Sequence, residues 1–175
     1  MTITINGSGT VTGITAGGLP DAIITQPELA TGVAGTGPAF SAYLSANQSM
    51  TVNTFTKVTI DTEEFDTASC FNNTGSTVGG IPAYAFRPNV AGYYQVNGGN
   101  YPASSVVVIN IYIYKNGSAI KGSWGTSTSA VASALIYMNG STDYIESYSY
   151  MSGTTPSLLG VAALTFFQAY LARSV

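Results

Sequence analysis

Four carboxylates stand close together in the stretch DTEEFD, at Asp61, Glu63, Glu64 and Asp66. In an extended strand the first two lie on one face about 6.6 Å apart, since each residue rises ~3.3 Å. That is close to the carboxyl separation of inverting glycosidases, roughly 6.5–9.5 Å, and carboxylates are also suitable calcium ligands. Ordinary solvated charges at the exit of a strand are the third interpretation. We predict no catalytic residue and no cofactor, with calcium coordination by these four side chains left open.

Histidine is absent from the whole sequence. This absence removes Ser-His-Asp and Cys-His nucleophilic schemes, histidine-based zinc sites and the usual general base at neutral pH. The single cysteine, Cys70, excludes an internal disulfide framework. The composition therefore disfavours an enzyme.

Aromatic side chains in two stretches rich in turn-forming residues are the other candidates for chemistry. Trp124 lies in GSWGTST, where an indole could stack on a sugar ring while nearby hydroxyls bind its edges. YSYMSGTTP (148–156) is predicted to form a comparable loop, with Tyr148, Tyr150 and Met151 as an adaptable contact surface. These four residues are the predicted receptor contacts. Packing on the rim of the domain or on an adjacent subunit is the alternative.

Composition narrows the class of protein. Only 7% of the 175 residues are charged, against roughly 25% in a typical soluble domain, while Gly 20 and Tyr 12 are abundant. This mixture favours strands and turns. The net charge of −3, with no basic run, argues against nucleic acid binding. No apolar stretch is long enough to insert across a bilayer, and the N-terminus has no secretory signal pattern.

The chain divides by composition at Pro38. Residues 1–37 contain no aromatic residue, so we predict an extended N-terminal arm or stalk that packs on something else. Residues 38–175 show about eight to ten short alternating strands separated by turn signals, without a helical apolar repeat. Asn-Gly pairs predict two hairpins, one at residues 116–117 and one at 139–140. The second region is therefore predicted to be an all-β sandwich or jelly roll.

Two nearly identical pentapeptides open and close this second region. FSAYL (40–44) and FQAYL (167–171), taken as strands, each place Phe, Ala and Leu on one face and a tyrosine on the other. Their likeness predicts that the two strands share similar surroundings.

Five segments, in order, resemble a known family. PAFSAYL, AYAFRPNVAGYYQV, IYIYKNGSAI, ALIYMNGSTDYIE and TFFQAYL resemble successive strands of the globular head of complement component 1q and its tumour-necrosis-factor-like relatives. The resemblance implies an antiparallel ten-stranded jelly-roll sandwich whose first and last strands are neighbours in the inner sheet. It also implies a homotrimer, with three inner sheets meeting around a three-fold axis. Tyr43, Phe166 and Tyr170 would then face the neighbouring subunit.

The arm carries a second resemblance. TITINGSGTVTGITAGGLPDAIITQPELATG resembles the start of many bacteriophage tail-fibre and virion-fibre proteins, which thread into a particle or wind into a trimeric stalk. This resemblance implies that residues 1–37 bind other virion proteins. It also implies a location on the surface of the phage particle after synthesis in the bacterial cytoplasm.

Three functions follow from these expectations. The first is a structural virion fibre whose trimeric head binds a host-surface receptor, either a glycan or a protein. The alternative is a purely architectural capsid decoration or collar fibre. A capsule-degrading enzyme is the third, and the missing histidine and acid/base pair count against it.

Overall fold

The computed structural model describes residues 37–175. Thirteen strands are present in this range, every pairing between them is antiparallel, and no residue within it is helical. The all-β prediction is confirmed. None of the described residues form a helix of the length and hydropathy needed to span a membrane. The predicted arm, residues 1–37, lies outside the described residues apart from Gly37 and stays a prediction.

The strands are named in chain order. They are β1 (Ala39–Tyr43), β2 (Gln48–Ser49), β3 (Thr56–Lys57), β4 (Thr62–Asp66), β5 (Phe71–Asn72), β6 (Ala85–Phe86), β7 (Ala91–Asn100), β8 (Val108–Lys115), β9 (Ser118–Trp124), β10 (Ala130–Asn139), β11 (Ile145–Ser152), β12 (Ser157–Leu158) and β13 (Phe166–Ser174).

Two sheets build the sandwich. One has five strands in the order β10-β7-β13-β1-β4. The other has six strands, in the order β5-β6-β11-β8-β9 with β3 also paired to β11. A third, two-stranded sheet joins β12 to β2. Strands distant in sequence are therefore neighbours, as the crossovers of a jelly roll require.

The hydrophobic core lies between the two large sheets. The matching pentapeptides pair as antiparallel neighbours, with Phe40 opposite Ala169 and Ala42 opposite Phe167. All six of their Phe, Ala and Leu side chains are buried, so the prediction that the two strands share similar surroundings is confirmed. The Phe40 ring stacks on Phe71 at 4.5 Å and on Phe86 at 4.6 Å between centroids. The two pentapeptides are therefore alike because they occupy equivalent positions on adjacent strands.

The first predicted hairpin is present between β8 and β9. Asn116 and Gly117 have φ angles of 52° and 78°, and two successive residues with positive φ characterise the turn that matches strand twist. The Asn116 side chain also accepts a hydrogen bond from the backbone N–H of Tyr144 at 3.0 Å. The hairpin prediction at residues 116–117 is confirmed.

The second predicted hairpin, at Asn139 and Gly140, is wrong. β10 and β11 lie in different sheets, so this turn carries the chain across the edge of the sandwich. The Asn139 side-chain oxygen accepts hydrogen bonds from three successive backbone N–H groups, which holds the longer crossing loop. Gly140 has φ 71°, and a Cβ there would lie 2.4 Å from the backbone nitrogen of Ala91. The sequence therefore indicated a turn at Asn139 and Gly140, but not which sheet the next strand joins.

The acidic stretch does not follow the exit of a strand, as its third interpretation supposed. Residues Thr62–Asp66 themselves form the edge strand β4 beside β1. A register shift between Ser41 and Ala42 marks a bulge in this pairing. A bulged, charged edge strand is one way in which sheets avoid pairing with other chains.

An ion pair ties the crossing loop to the β8–β9 hairpin. Asp143 lies 2.8 Å from Lys115 Nζ and accepts hydrogen bonds from the Asn116 side chain and the Asn139 backbone N–H. Burial alone would raise the pKa of Asp143, but these donors outweigh burial and lower the pKa below its ordinary value. Because the folded pKa is depressed, the carboxylate stabilises the fold above the ordinary carboxyl pKa. That contribution is lost as pH falls through the depressed value.

Asp143→Asn is therefore expected to lower thermal stability at about pH 7, and the difference should shrink as pH falls below the ordinary carboxyl pKa and through the depressed one. At neutral pH the loss should be roughly 2 kcal/mol, since hydrogen bonds to a charged group are removed. The measurement is the melting temperature of both proteins across this pH range. A difference between them that stays constant with pH would contradict the assigned role of the carboxylate.

Candidate functional site

The outward side of the five-stranded sheet carries large apolar side chains. β10 alternates strictly, so its even-numbered residues are buried and its odd-numbered residues point away from the core. Val131 is 60% exposed, Leu135 57% and Tyr170 52%. We call this side the five-stranded face, and its apolar residues are Tyr43, Phe65, Tyr93, Val131, Leu135, Tyr137, Phe166 and Tyr170.

A polar row crosses the middle of this face. Ser133 donates a hydrogen bond to Asn97 Oδ1 at 2.8 Å and accepts one from Gln95 at 2.8 Å. On the other side of the row, Ser41 donates to Glu64 Oε2 at 2.6 Å. Asn97 also lines a shallow depression of about 170 Å³, together with Ala39, Phe40, Phe65, Gln168, Ala169 and Tyr170. The face is therefore apolar with satisfied polar groups at its centre.

The three predicted interface residues all lie on the five-stranded face. Tyr43 and Phe166 are directly opposite each other in the β1–β13 pairing, and Tyr170 follows on β13. Phe166 is half-buried because its ring covers Gly99, where a Cβ would come within 2.6 Å of the ring. The structure places the three residues on one face, with Tyr170 opposite Ala39 at the other end of the β1–β13 pairing, and their contact with a neighbouring subunit stays a prediction.

Sequence reasoning missed the β10 part of this face. AVASALIYMN (130–139) contains apolar residues at both odd and even positions, which is the signal of a strand covered on both sides. The rings of Tyr137 and Tyr93 lie 5.6 Å apart and extend the apolar area to the strand edge.

The outward side of the six-stranded sheet carries a second group of rings. Trp124 and Tyr150 have centroids 6.4 Å apart, Tyr150 and Phe55 5.3 Å, and Phe55 and Tyr112 4.9 Å. Tyr114 stacks on Tyr148 at 3.9 Å and lies 6.5 Å from Phe55. We call this continuous group the aromatic surface, formed by Phe55, Tyr112, Tyr114, Trp124, Tyr148 and Tyr150.

The strands hold these rings in place for local reasons. Gly122 lies opposite Tyr112, and a Cβ at Gly122 would come within 2.6 Å of the Tyr112 ring, so glycine lets that ring lie against β9. Burial raises the pKa of Tyr114, and the neighbouring Tyr112 raises it further by a smaller amount. Burial, followed by the nearby Glu146, raises the pKa of Tyr148. Both phenols therefore stay neutral throughout the physiological pH range.

The predicted receptor contacts are partly brought together. Trp124, Tyr148 and Tyr150 share the aromatic surface, whereas Met151 points to the opposite side and is fully buried in the core. The Met151 prediction is wrong because Tyr148–Ser152 belongs to strand β11 rather than to a loop, and side chains alternate along a strand. Phe55, Tyr112 and Tyr114 were not predicted, since their convergence depends on the pairing of β8 with β11.

The four acidic candidates do not form a metal site. Asp61 accepts hydrogen bonds from the Ser45 backbone and hydroxyl, at 2.9 and 2.8 Å. Asp66 accepts from the backbone N–H groups of Ala68 and Phe71, and Glu64 from Ser41. Nowhere in residues 37–175 do three Cys, Asp or Glu side chains converge as metal ligands. The calcium alternative is therefore not supported by this geometry.

Glu63 differs from the other three carboxylates. Partial burial raises the pKa of Glu63, and the nearby charge of Asp66 raises it further by a smaller amount. The side chain is nevertheless exposed on an edge strand, at the opposite edge of its sheet from β10. Its geometry indicates an edge charge rather than an acid aimed into a cleft.

The arrangement of strands and faces defines a class of fold, the tumour-necrosis-factor-like jelly roll. Solved structures share it: Eiger TNF from S. frugiperda has a TM-score of 0.61 at 10% identity, covering 79% of this chain and 95% of its own. Murine APRIL at pH 8.0 has a TM-score of 0.57 at 11% identity, covering 75% and 96%. No protein-family model and no curated protein matches the chain. At these identities the likeness concerns the fold, and the predicted jelly roll is confirmed.

Proposed function

We propose that the chain is a homotrimeric bacteriophage fibre protein whose jelly-roll head attaches the particle to a receptor on the host surface. In this proposal residues 1–37 bind other virion proteins, and the assembled protein lies on the particle surface after synthesis in the bacterial cytoplasm. The head binds without catalysis and without nucleic acid.

The exposed five-stranded face is the observation that carries the proposal. Val131, Leu135 and Tyr170 are exposed on one side of a single sheet, on which polar residues lie among the apolar ones, and large exposed apolar surface of this kind marks an interaction site. Three-fold association would remove these side chains from water, which favours a trimer by the hydrophobic effect. The resemblance to complement 1q-like heads supports the same face as the interface.

The opposite sheet supports an attachment role. If the five-stranded faces meet around an axis, the aromatic surface of each subunit points away from that axis and stays accessible. An exposed aromatic group of this kind is typical of binding surfaces rather than of architectural spacers. The low charge and the arm sequence support the virion setting.

The test uses virions that contain the chain. Fab fragments raised against the purified protein are expected to label fibre tips and to reduce adsorption of the particles to host cells. Fab fragments against a major capsid protein provide the control and should leave adsorption unchanged. Labelling confined to the capsid, with adsorption unaffected, would overturn the attachment role and favour the architectural alternative.

A further inference from the structure

The rings of the aromatic surface differ in how far they are exposed to solvent. Trp124 is 70% exposed and Phe55 is also exposed, whereas the four tyrosines are half-buried and support them. The planes of Trp124 and Tyr150 are inclined by only 30°. Phe55 is more steeply inclined, at 49° to Tyr150, so the rings form an uneven platform on which a ligand with several apolar faces can lie.

The charges near these rings are compensated. Lys57 Nζ forms an ion pair with Glu146 and donates a hydrogen bond to the Ala83 carbonyl at 3.1 Å. The same ammonium lies 5.9 Å from the centre of the Tyr148 ring. Glu146 itself is buried, so its charge is satisfied inside the protein. A ligand complementary to this surface is therefore uncharged.

Short polar groups surround the most exposed ring. Residues 125–129, GTSTS, follow Trp124 directly and are mostly exposed, and they supply hydroxyl and backbone groups without charge. Asn110 lies between Tyr150 and Trp124 in the strand register, on the same side of the sheet. Asn110 is fully buried, and within residues 37–175 its side-chain nitrogen has no hydrogen-bond partner. The platform thus combines apolar faces with the neutral, exposed hydrogen-bonding groups of residues 125–129 at its margin.

We propose that the aromatic surface binds a neutral saccharide chain, with Trp124, Tyr150 and Phe55 stacking on successive sugar rings. Sugar rings offer apolar C–H faces and hydroxyl edges, which match these rings and the neutral polar groups around them. The inference deepens the proposed attachment function by naming the class of receptor. It also assigns to binding three residues, Phe55, Tyr112 and Tyr114, that no sequence pattern indicated.

The single tryptophan allows a direct test. The purified full chain is titrated with neutral oligosaccharides built from glucose, galactose, mannose, rhamnose or N-acetylhexosamine, and intrinsic tryptophan fluorescence is recorded. At least one of these is expected to shift the emission of Trp124 saturably. Addition of salt should leave the affinity unchanged, because no charge takes part in binding.

Variants then locate the site by calorimetry with the same oligosaccharide. Trp124→Ala is expected to weaken binding by about tenfold or more, and Phe55→Ala by a smaller factor. Tyr101→Ala is the matched control, because Tyr101 is an exposed aromatic outside the aromatic surface. Its affinity should equal that of the unaltered protein. The mass of each variant is measured in parallel to show that assembly is unchanged.

Three results would overturn the inference. They are the absence of any fluorescence response to the neutral panel, equal affinity after Trp124→Ala, and tight binding only to anionic polysaccharide with strong salt dependence. If free saccharide does not inhibit the attachment of intact virions to host cells, the result would indicate a protein receptor instead. In that case the attachment function stands and only the saccharide assignment fails. Conversely, a protein that is not a trimer but still binds saccharide would contradict the proposed trimer and leave the saccharide assignment intact.

Discussion

Replacing Tyr43 and Tyr170 together with aspartate is expected to convert the assembled protein into monomers. Both tyrosines lie on the five-stranded face, on the adjacent strands β1 and β13. A fully buried aromatic ring removes about 150 Å² from water, or ~4 kcal/mol at ~25 cal/mol per Å². The gain is smaller for rings that the isolated chain already half-covers. In the variant, two carboxylates per subunit would lie close to the three-fold axis. Their mutual repulsion would reverse the hydrophobic gain from burying the rings.

Sedimentation velocity of this double variant measures the effect. The control is Val107→Asp with Trp124→Asp, which adds the same charge at positions 73% and 70% exposed but away from the five-stranded face. The control should sediment like the unaltered protein. A Tyr43→Asp/Tyr170→Asp variant that also sediments unchanged would place the interface elsewhere on the molecule.

The second large effect concerns the core. Phe40→Ala is expected to reduce the free energy of unfolding by about 3–5 kcal/mol, because truncation of a buried phenylalanine loses its transfer energy and leaves a cavity. The Phe40 ring contacts three others, stacking on Phe71 and Phe86 and meeting Phe167 edge-on at 5.5 Å. Loss of this ring therefore affects both sheets at once.

Guanidinium denaturation at one fixed protein concentration measures the loss, since association contributes to apparent stability. Val107→Ala is the matched control, and this exposed truncation should change the unfolding free energy by no more than ~0.5 kcal/mol. If Phe40→Ala changed stability by no more than the control, the core around the β1–β13 pair would be wrongly assigned.

Much of the fold was predictable because local patterns carried it. The two pentapeptides repeat the same alternation, which places Phe40 and Phe167 on the same face as their Ala and Leu neighbours, and the resemblance implied that the two strands are neighbours. The Asn116-Gly117 pair was decisive in the same way, since few sequences adopt two successive positive φ angles. These signals depend only on residues close together in the chain.

The errors have a common physical origin. Asn139 and Gly140 carry the same turn chemistry as a hairpin, yet the next strand enters the other sheet, which depends on contacts distant in sequence. Ser147 and Ser149 face the core while Tyr148 and Tyr150 face outward, so hydrophobicity along β11 is inverted. Ser149 is tolerated inside because its hydroxyl donates to the Asn110 carbonyl at 2.9 Å.

The candidate surfaces were predictable only in part. Tyr43, Phe166 and Tyr170 were found because a family resemblance located the closing strand. The six rings of the aromatic surface come from four segments of the chain, and only pairing across the sheet brings them together. Trp124, Tyr148 and Tyr150 were identified individually, without the neighbours that make a platform.

Light scattering of the purified full-length protein tests the central claim most directly. The claim is that the five-stranded faces of three copies bury one another around a three-fold axis. The account predicts a single species with three times the mass of the 18.0 kDa chain. A mass equal to one chain, with the apolar five-stranded face left in water, would contradict it, and so would a mass equal to two.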